Sequence, residues 1–191
     1  MKRAFCILSL GGLVGAFAVG CGDRPDSYEA EIPKQVQSFG LENQVALVDP
    51  TANRVVLLTP QADQELGRTS IPVGKGIIRV EASADGKRLF VLSTGDVKRK
   101  KADDERASLT VIENGQGKRY PLESPHSGFA IDPLGRWIAI FAAPGSSTQA
   151  NFVENPNEIV VVDLQGPVEQ AVTPRTIRSF GARPQRITFS P

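Results

Sequence analysis

Few side chains in this chain are equipped for chemistry: one histidine, two cysteines and scattered carboxylates. His126 precedes Ser127 in Pro-His-Ser-Gly-Phe, placing a base beside a nucleophile in sequence. A Ser-His-acid site needs the imidazole to reach the hydroxyl through space while an acid orients its other nitrogen. Neighbours on a strand point to opposite faces, so this pair is not a natural one and no catalytic residue is assigned. A single histidine, with no cysteine left free in the processed chain, does not supply a zinc-type ligand set. Asp103, Asp104 and Glu105 form an acidic run without the spacing of EF-hand oxygen ligands, and read as a solvated loop. Gly74-Lys75-Gly76 lacks both the length and the following helix of a phosphate loop. No metal or cofactor is expected.

Cys21 carries the clearest chemical signal. Lys2 and Arg3 precede an uncharged run from Ala4 to Phe17, too short for a stable spanning helix but sufficient for the core of a signal peptide. The run ends in Ala18-Val19-Gly20-Cys21. Small residues before a cysteine resemble the bacterial lipobox, in which the sulfur takes a diacylglyceryl thioether and cleavage then frees the cysteine amine. The alternative is an ordinary secretory signal with a cysteine near its end. The lipobox reading divides the chain into a signal peptide over 1–20, a lipidated Cys21 with a flexible tether to residue 42, and a folded part over 43–191. It expects a palmitate-type anchor in a membrane of the cell envelope, with the folded part on the periplasmic side or at the outer membrane. Cys6 leaves with the signal, so no disulfide forms within the processed chain.

The elements that must hold the remaining residues are strands. Val45–Val48 and Val55–Leu58 flank DPTANR; Leu109–Ile112 and Tyr120–Leu122 flank ENGQGKR; Ile159–Val162 and Ala171–Thr173 flank DLQGPVEQ. All three read as equivalent hairpins. No stretch offers a capped amphipathic helix of three turns. Residues 79–92 and 128–141 each read as strand, tight turn and strand, with turn glycines Gly86 and Gly135. These glycines, and the hairpin acids Glu113 and Asp163, both mark a repeat of about fifty residues, or about four strands each, the content of one propeller blade. Alternation places Val80, Ala82, Leu89 and Val91 toward a neighbouring blade.

SADGKRLFVLS and DPLGRWIAIFA resemble the SPDGKRLYVAN-type core of YVTN and related WD-like β-propeller repeats, and VALVDPTANRVV resembles their VSVIDTATNKVV hairpin. Ala84 and Leu134 depart from that pattern, and ENGQGK copies the hairpin poorly. The resemblance implies an all-β fold of four-stranded antiparallel blades. About three are present, an incomplete arc whose last strand, at Ile187–Phe189, stops before its turn. The expectation is therefore a fragment that aggregates or self-associates on its own. Arg79 and Arg186 share one repeat position, with Gly128 as the middle equivalent and His126 two places earlier. In such propellers this position lies near the central channel, so Arg79, His126 and Arg186 are the candidate binding residues for a carboxylate or phosphate. Surface arginines bonding to carbonyls are the plainer reading.

Residues 96–107 and 144–157 are long insertions after the same strand of successive repeats, so both should emerge on one face, where long loops commonly carry recognition. The first, basic then acidic, reads equally as a self-compensating bulge. A net charge of +1 and 6% aromatic residues offer neither the field nor the stacking platform for nucleic acid. The leading expectation is a non-enzymatic, membrane-anchored binding or scaffolding propeller with a protein partner in the envelope. The alternative is a lactonase-like or other propeller hydrolase whose active-site residues lie in further blades.

Overall fold

Short β-branched runs separated by turn residues fold here into strands that pair only with their sequence neighbours. The computed structural model describes residues 35–62, 65–96, 101–143, 155–177, 184 and 186–190, all within the unit Glu31–Pro191. The first sheet holds β1 (Gln37–Leu41), β2 (Gln44–Asp49), β3 (Arg54–Pro60) and β4 (Leu66–Pro72). The second holds β5 (Ile77–Ala82), β6 (Arg88–Ser93), β7 (Ser108–Glu113) and β8 (Gln116–Pro121). The third holds β9 (Gly128–Ile131), β10 (Trp137–Phe141), β11 (Glu158–Asp163) and β12 (Val172–Thr176), with the one-turn α1 (Val168–Ala171) before its last strand. Each sheet is a four-stranded antiparallel meander, and together they make an incomplete all-β propeller arrangement.

Turn chemistry sets the register. In the β5–β6 turn Asp85 accepts from the Lys87 amide at 3.1 Å and from the Ser83 hydroxyl, while Gly86 takes φ 68°. The β9–β10 turn repeats the design with Asp132, which accepts from the Arg136 amide at 3.2 Å, and with Gly135 at φ 63°. Both glycines occupy the left-handed region that a Cβ disfavours.

The middle sheet is apolar on both faces because it is packed on both sides. Leu89 and Val91 of β6 join Ala46, Val48, Val55, Leu57 and Ile71 of the first sheet. Phe90 and Leu92, pointing the other way, join Phe129, Ile138, Ile140, Val160 and Val162 of the third. Alternation along one strand thus assigns each side chain to one neighbour or the other. Val80 and Ala82 pack on the first cluster, as the sequence pattern expects.

Four sequence expectations are corrected. Gln37–Leu41 is not tether: it is the inner strand of the first sheet, and Phe39 and Leu41 pack against the core. The DPTANR hairpin joins the second and third strands of its sheet, whereas the other two join the third and fourth. The β7–β8 turn is only Asn114-Gly115, at φ 51° and 75°, so β8 starts at Gln116 rather than Tyr120. Two left-handed residues match the twist of the flanking strands, which is why Asn-Gly suits this turn. Residues 186–190 form no strand.

The outermost strand of each sheet contains a proline: Pro72 ends β4, Pro121 ends β8, and Pro174 sits within β12 opposite Val160.

Candidate functional site

The two ends of the sheets differ in construction. At one end the tight turns lie side by side: the Glu42 amide donates to the Gly86 carbonyl at 2.9 Å, and the Arg88 guanidinium donates to the Gly135 carbonyl. Lys118 reaches the Gly166 carbonyl at 3.0 Å, closing the same end between the second and third sheets. Among the described residues, clefts of about 390, 530 and 360 Å³ open here, with Arg88 lining the first two. The sheets therefore share one orientation. The opposite end gathers the connections between second and third strands: residues 50–53, 94–107 and 142–157. The chain also enters there, because Gln37 of β1 pairs with Val48 beside the first of these connections.

Both long connections are anchored where they leave or rejoin the sheet. For the first, Thr94 and Gly95 donate their amides to the carbonyls of Gly76 and Lys75 at 3.0 and 2.9 Å. Asp96 and Glu105 close the base of the loop. The Asp96 amide donates to the Glu105 carbonyl at 2.9 Å, and the Glu105 amide donates to the Asp96 carboxylate at 2.8 Å. Lys75 Nζ lies 3.1 Å from the same carboxylate, and Arg119 lies 2.8 Å from the Glu105 carboxylate. The Glu105 amide, and after it the Lys75 ammonium, hold the Asp96 carboxyl below its ordinary pKa. The hydrogen bond to Asp96 in turn raises that of Lys75. Gly95 sits at φ 67°, where a Cβ would lie 2.4 Å from the Glu105 carbonyl oxygen.

For the second connection the anchor is His126, fully buried. Its Nε2 lies 3.1 Å from Glu158 Oε1, at the first residue of β11. The Ser124 hydroxyl donates to the same oxygen at 2.8 Å and lies 3.3 Å from the same ring nitrogen. A proton relay uses the two imidazole nitrogens for different partners, so this cluster is not arranged as a Ser-His-acid triad. Ser127, next in sequence, turns away and accepts the Ala143 amide at 2.9 Å.

Each candidate binding residue has its own surroundings. Arg79, on the inner strand β5, lies 3.2 Å from Glu81, and its guanidinium stands 5.1 Å from the centroid of the Phe129 ring on the next sheet. His126 is buried with Ser124 and Glu158 rather than open to a channel. Arg186 is exposed and outside any strand. Cys21 lies outside the described residues, as do residues 97–100 and 144–154 of the two insertions. Sequence reading missed Glu158 and Ser124 as partners of His126, and Lys75 and Asp96 as partners of each other. No local pattern signals a bond between residues separated by 32 or 21 positions. Among the described residues no group of three or more His, Cys, Asp or Glu side chains is placed to hold a metal.

No known protein family matches the sequence, and neither does any curated protein. Among solved structures the chain is similar to a Bacteroides fragilis protein provisionally named a 6-phosphogluconolactonase, at 15% identity and TM-score 0.41 over 74% of this chain and 38% of that one. It is also similar to a Lactobacillus plantarum protein, at 12% identity and TM-score 0.36 over 74% of this chain and 41% of that one. The chain therefore spans about two fifths of the length of these two proteins.

Proposed function

We propose that this chain belongs to a lipid-anchored envelope propeller that acts as a binding or scaffolding module, and that the end bearing its two long connections is the recognition face. One observation carries the reading: both connections are pinned by polar side chains to the segment that precedes their own sheet. Lys75 and Asp96 do this in one sheet, and His126 and Glu158 in the next. Anchored feet lower the ordering cost of a loop that must meet a partner. The anchor is a thioether-linked lipid on Cys21, supported by the charged start, the apolar run and the small residues before the cysteine. Replacing Cys21 with Ser should move the protein from the membrane fraction to the soluble one and remove the acyl mass. Photo-crosslinkers at Ala102 and Asn155 should trap one defined envelope protein, and shortening both loops should abolish the adduct while leaving the β-sheet circular dichroism unchanged. Adducts that survive the shortening would place recognition elsewhere, and Arg79→Ala with Arg186→Ala then tests the arginines.

The name given to the Bacteroides protein keeps a second reading in view, a lactonase-like propeller hydrolase. Its test is hydrolysis of 6-phosphogluconolactone by the full-length natural protein. Turnover abolished by substituting a single side chain would replace the scaffold reading.

A further inference from the structure

At the tight-turn end, the face of the second sheet that looks toward the third carries two cations short of an anion. Arg88, Glu113 and Gln116 are cross-strand partners on β6, β7 and β8, and Lys118 follows on β8 opposite Val111. Both cations bond to main-chain carbonyls of the third sheet, Arg88 to Gly135 and Lys118 to Gly166 at 3.0 Å. The Arg88 side chain is only 17% exposed, yet its Nε has no hydrogen-bond acceptor among the described residues. Glu113 Oε1 stands 3.8 Å from that Nε, beyond hydrogen-bond reach, on a side chain half in solvent. A charge held largely out of water costs free energy unless an opposite charge is bonded to it. The repeat does not call for this guanidinium: the residue two past the turn glycine is Arg88 in one sheet and Trp137 in the next.

We propose that the cleft of about 390 Å³ lined by Arg88 and Lys118 binds a small organic monocarboxylate with an apolar body. Charge sets the head group. The lining holds two cations and one carboxylate, Glu113, so one added carboxylate balances it and a phosphate dianion exceeds it. Val111, Leu164 and the Tyr120 ring, over which Lys118 stands at 5.2 Å, supply apolar wall for the body. The volume falls in the range of small-molecule sites, about 300–1,000 Å³. β6 and β8 lie two strand spacings apart, about 10 Å, so the long side chains of Arg88 and Lys118 reach over β7 from either side. A carboxylate held between them takes a charge-assisted hydrogen bond from each. This site lies at the opposite end from the long connections, uses none of Arg79, His126 and Arg186, and does not depend on the lipid anchor.

The test is titration calorimetry of the natural full-length protein, in mild detergent at neutral pH and low salt, with two probes of one shape, benzoate and benzamide. Benzoate should bind and saturate, and uncharged benzamide should bind about tenfold more weakly or not at all. Lys118→Gln should weaken benzoate about tenfold. Glu113→Gln, which removes the competing carboxylate, should tighten it severalfold. Arg88→Gln also breaks the contact with Gly135, so the decision rests on Lys118 and Glu113, both exposed. Equal binding of benzamide, an unmoved affinity in Lys118→Gln, or no tightening in Glu113→Gln overturns the proposal. The last of these, with a lowered urea midpoint, would make Glu113 the counterion of Arg88. Shortening both long connections should leave the benzoate affinity unchanged, which separates failure of this site from failure of the recognition face. An affinity that falls with the loops puts the site at the other end and overturns the proposal.

Discussion

Gly95 and Gly115 invite a paired experiment, because both hold left-handed backbone, at φ 67° and 75°, in different surroundings. A Cβ at Gly115 would have nothing within 4 Å. A Cβ at Gly95 would lie 2.4, 2.5 and 2.7 Å from backbone atoms of Glu105, Arg106 and Ala107. Gly115→Ala should therefore cost only the backbone penalty, about 1–2 kcal/mol. Gly95→Ala carries the same penalty plus overpacking of about 1–3 kcal/mol, since the atoms in its way are main chain and cannot rotate aside. The total is about 2–5 kcal/mol. Urea unfolding of the full-length protein in mild detergent, followed by Trp137 fluorescence, measures both. Hydrogen exchange should further show the Asp96 and Glu105 amides losing protection in the Gly95 variant alone. If the two variants are equally destabilised and the Asp96 and Glu105 amides stay protected, the packed foot of the first long connection is wrong.

Acid should loosen that same foot. Because the folded Asp96 carboxyl titrates below its ordinary value of 3.8, its contribution is present above that value and lost as pH falls through the lowered one. Protection of the Glu105 amide should collapse in that acid window, and Asp96→Ala should remove the transition; an unchanged profile refutes the bond. At the tight-turn end, Gly135→Ala sets a Cβ into the Arg88 guanidinium, so Arg88→Ala and Gly135→Ala should cost less together than the sum of their separate effects. Additive costs in a double-mutant cycle would deny the contact. Phe90→Ala, emptying a site between the second and third sheets, should cost about 3–5 kcal/mol in the same urea assay. Leu134→Ala, at a position 87% exposed, should leave the midpoint unmoved.

The strand–turn–strand units were readable because their signals are local. Asp85-Gly86 and Pro133-Leu134-Gly135 announce turns, and alternation on either side names the inward residues. β1 was not readable: QSFGL has a glycine and two polar residues, and it is pairing with β2 and packing of Phe39 and Leu41 on the core between the first two sheets that make it a strand. Asn114-Gly115 was a legible turn hidden inside a hairpin drawn too long. The contacts of His126 were beyond sequence for a different reason. An imidazole finds its carboxylate at Glu158 only because two sheet connections converge, and convergence is a property of the assembled sheets.

The prolines on the outermost strands impose a rule of growth. Pro174 has no amide hydrogen to offer, so it fits within β12 only where its nitrogen faces away from β11; that outward edge therefore lacks a donor. Pro72 and Pro121 stand at the last residue of the corresponding edges of the other two sheets. A foreign strand pairing along the full length of one of these borders meets a missing bond. The sheets accept new neighbours against their faces but not along their rims. Material can thus be added around the arc and not outward from it, which keeps a strand-rich protein from recruiting its surroundings into its own sheets.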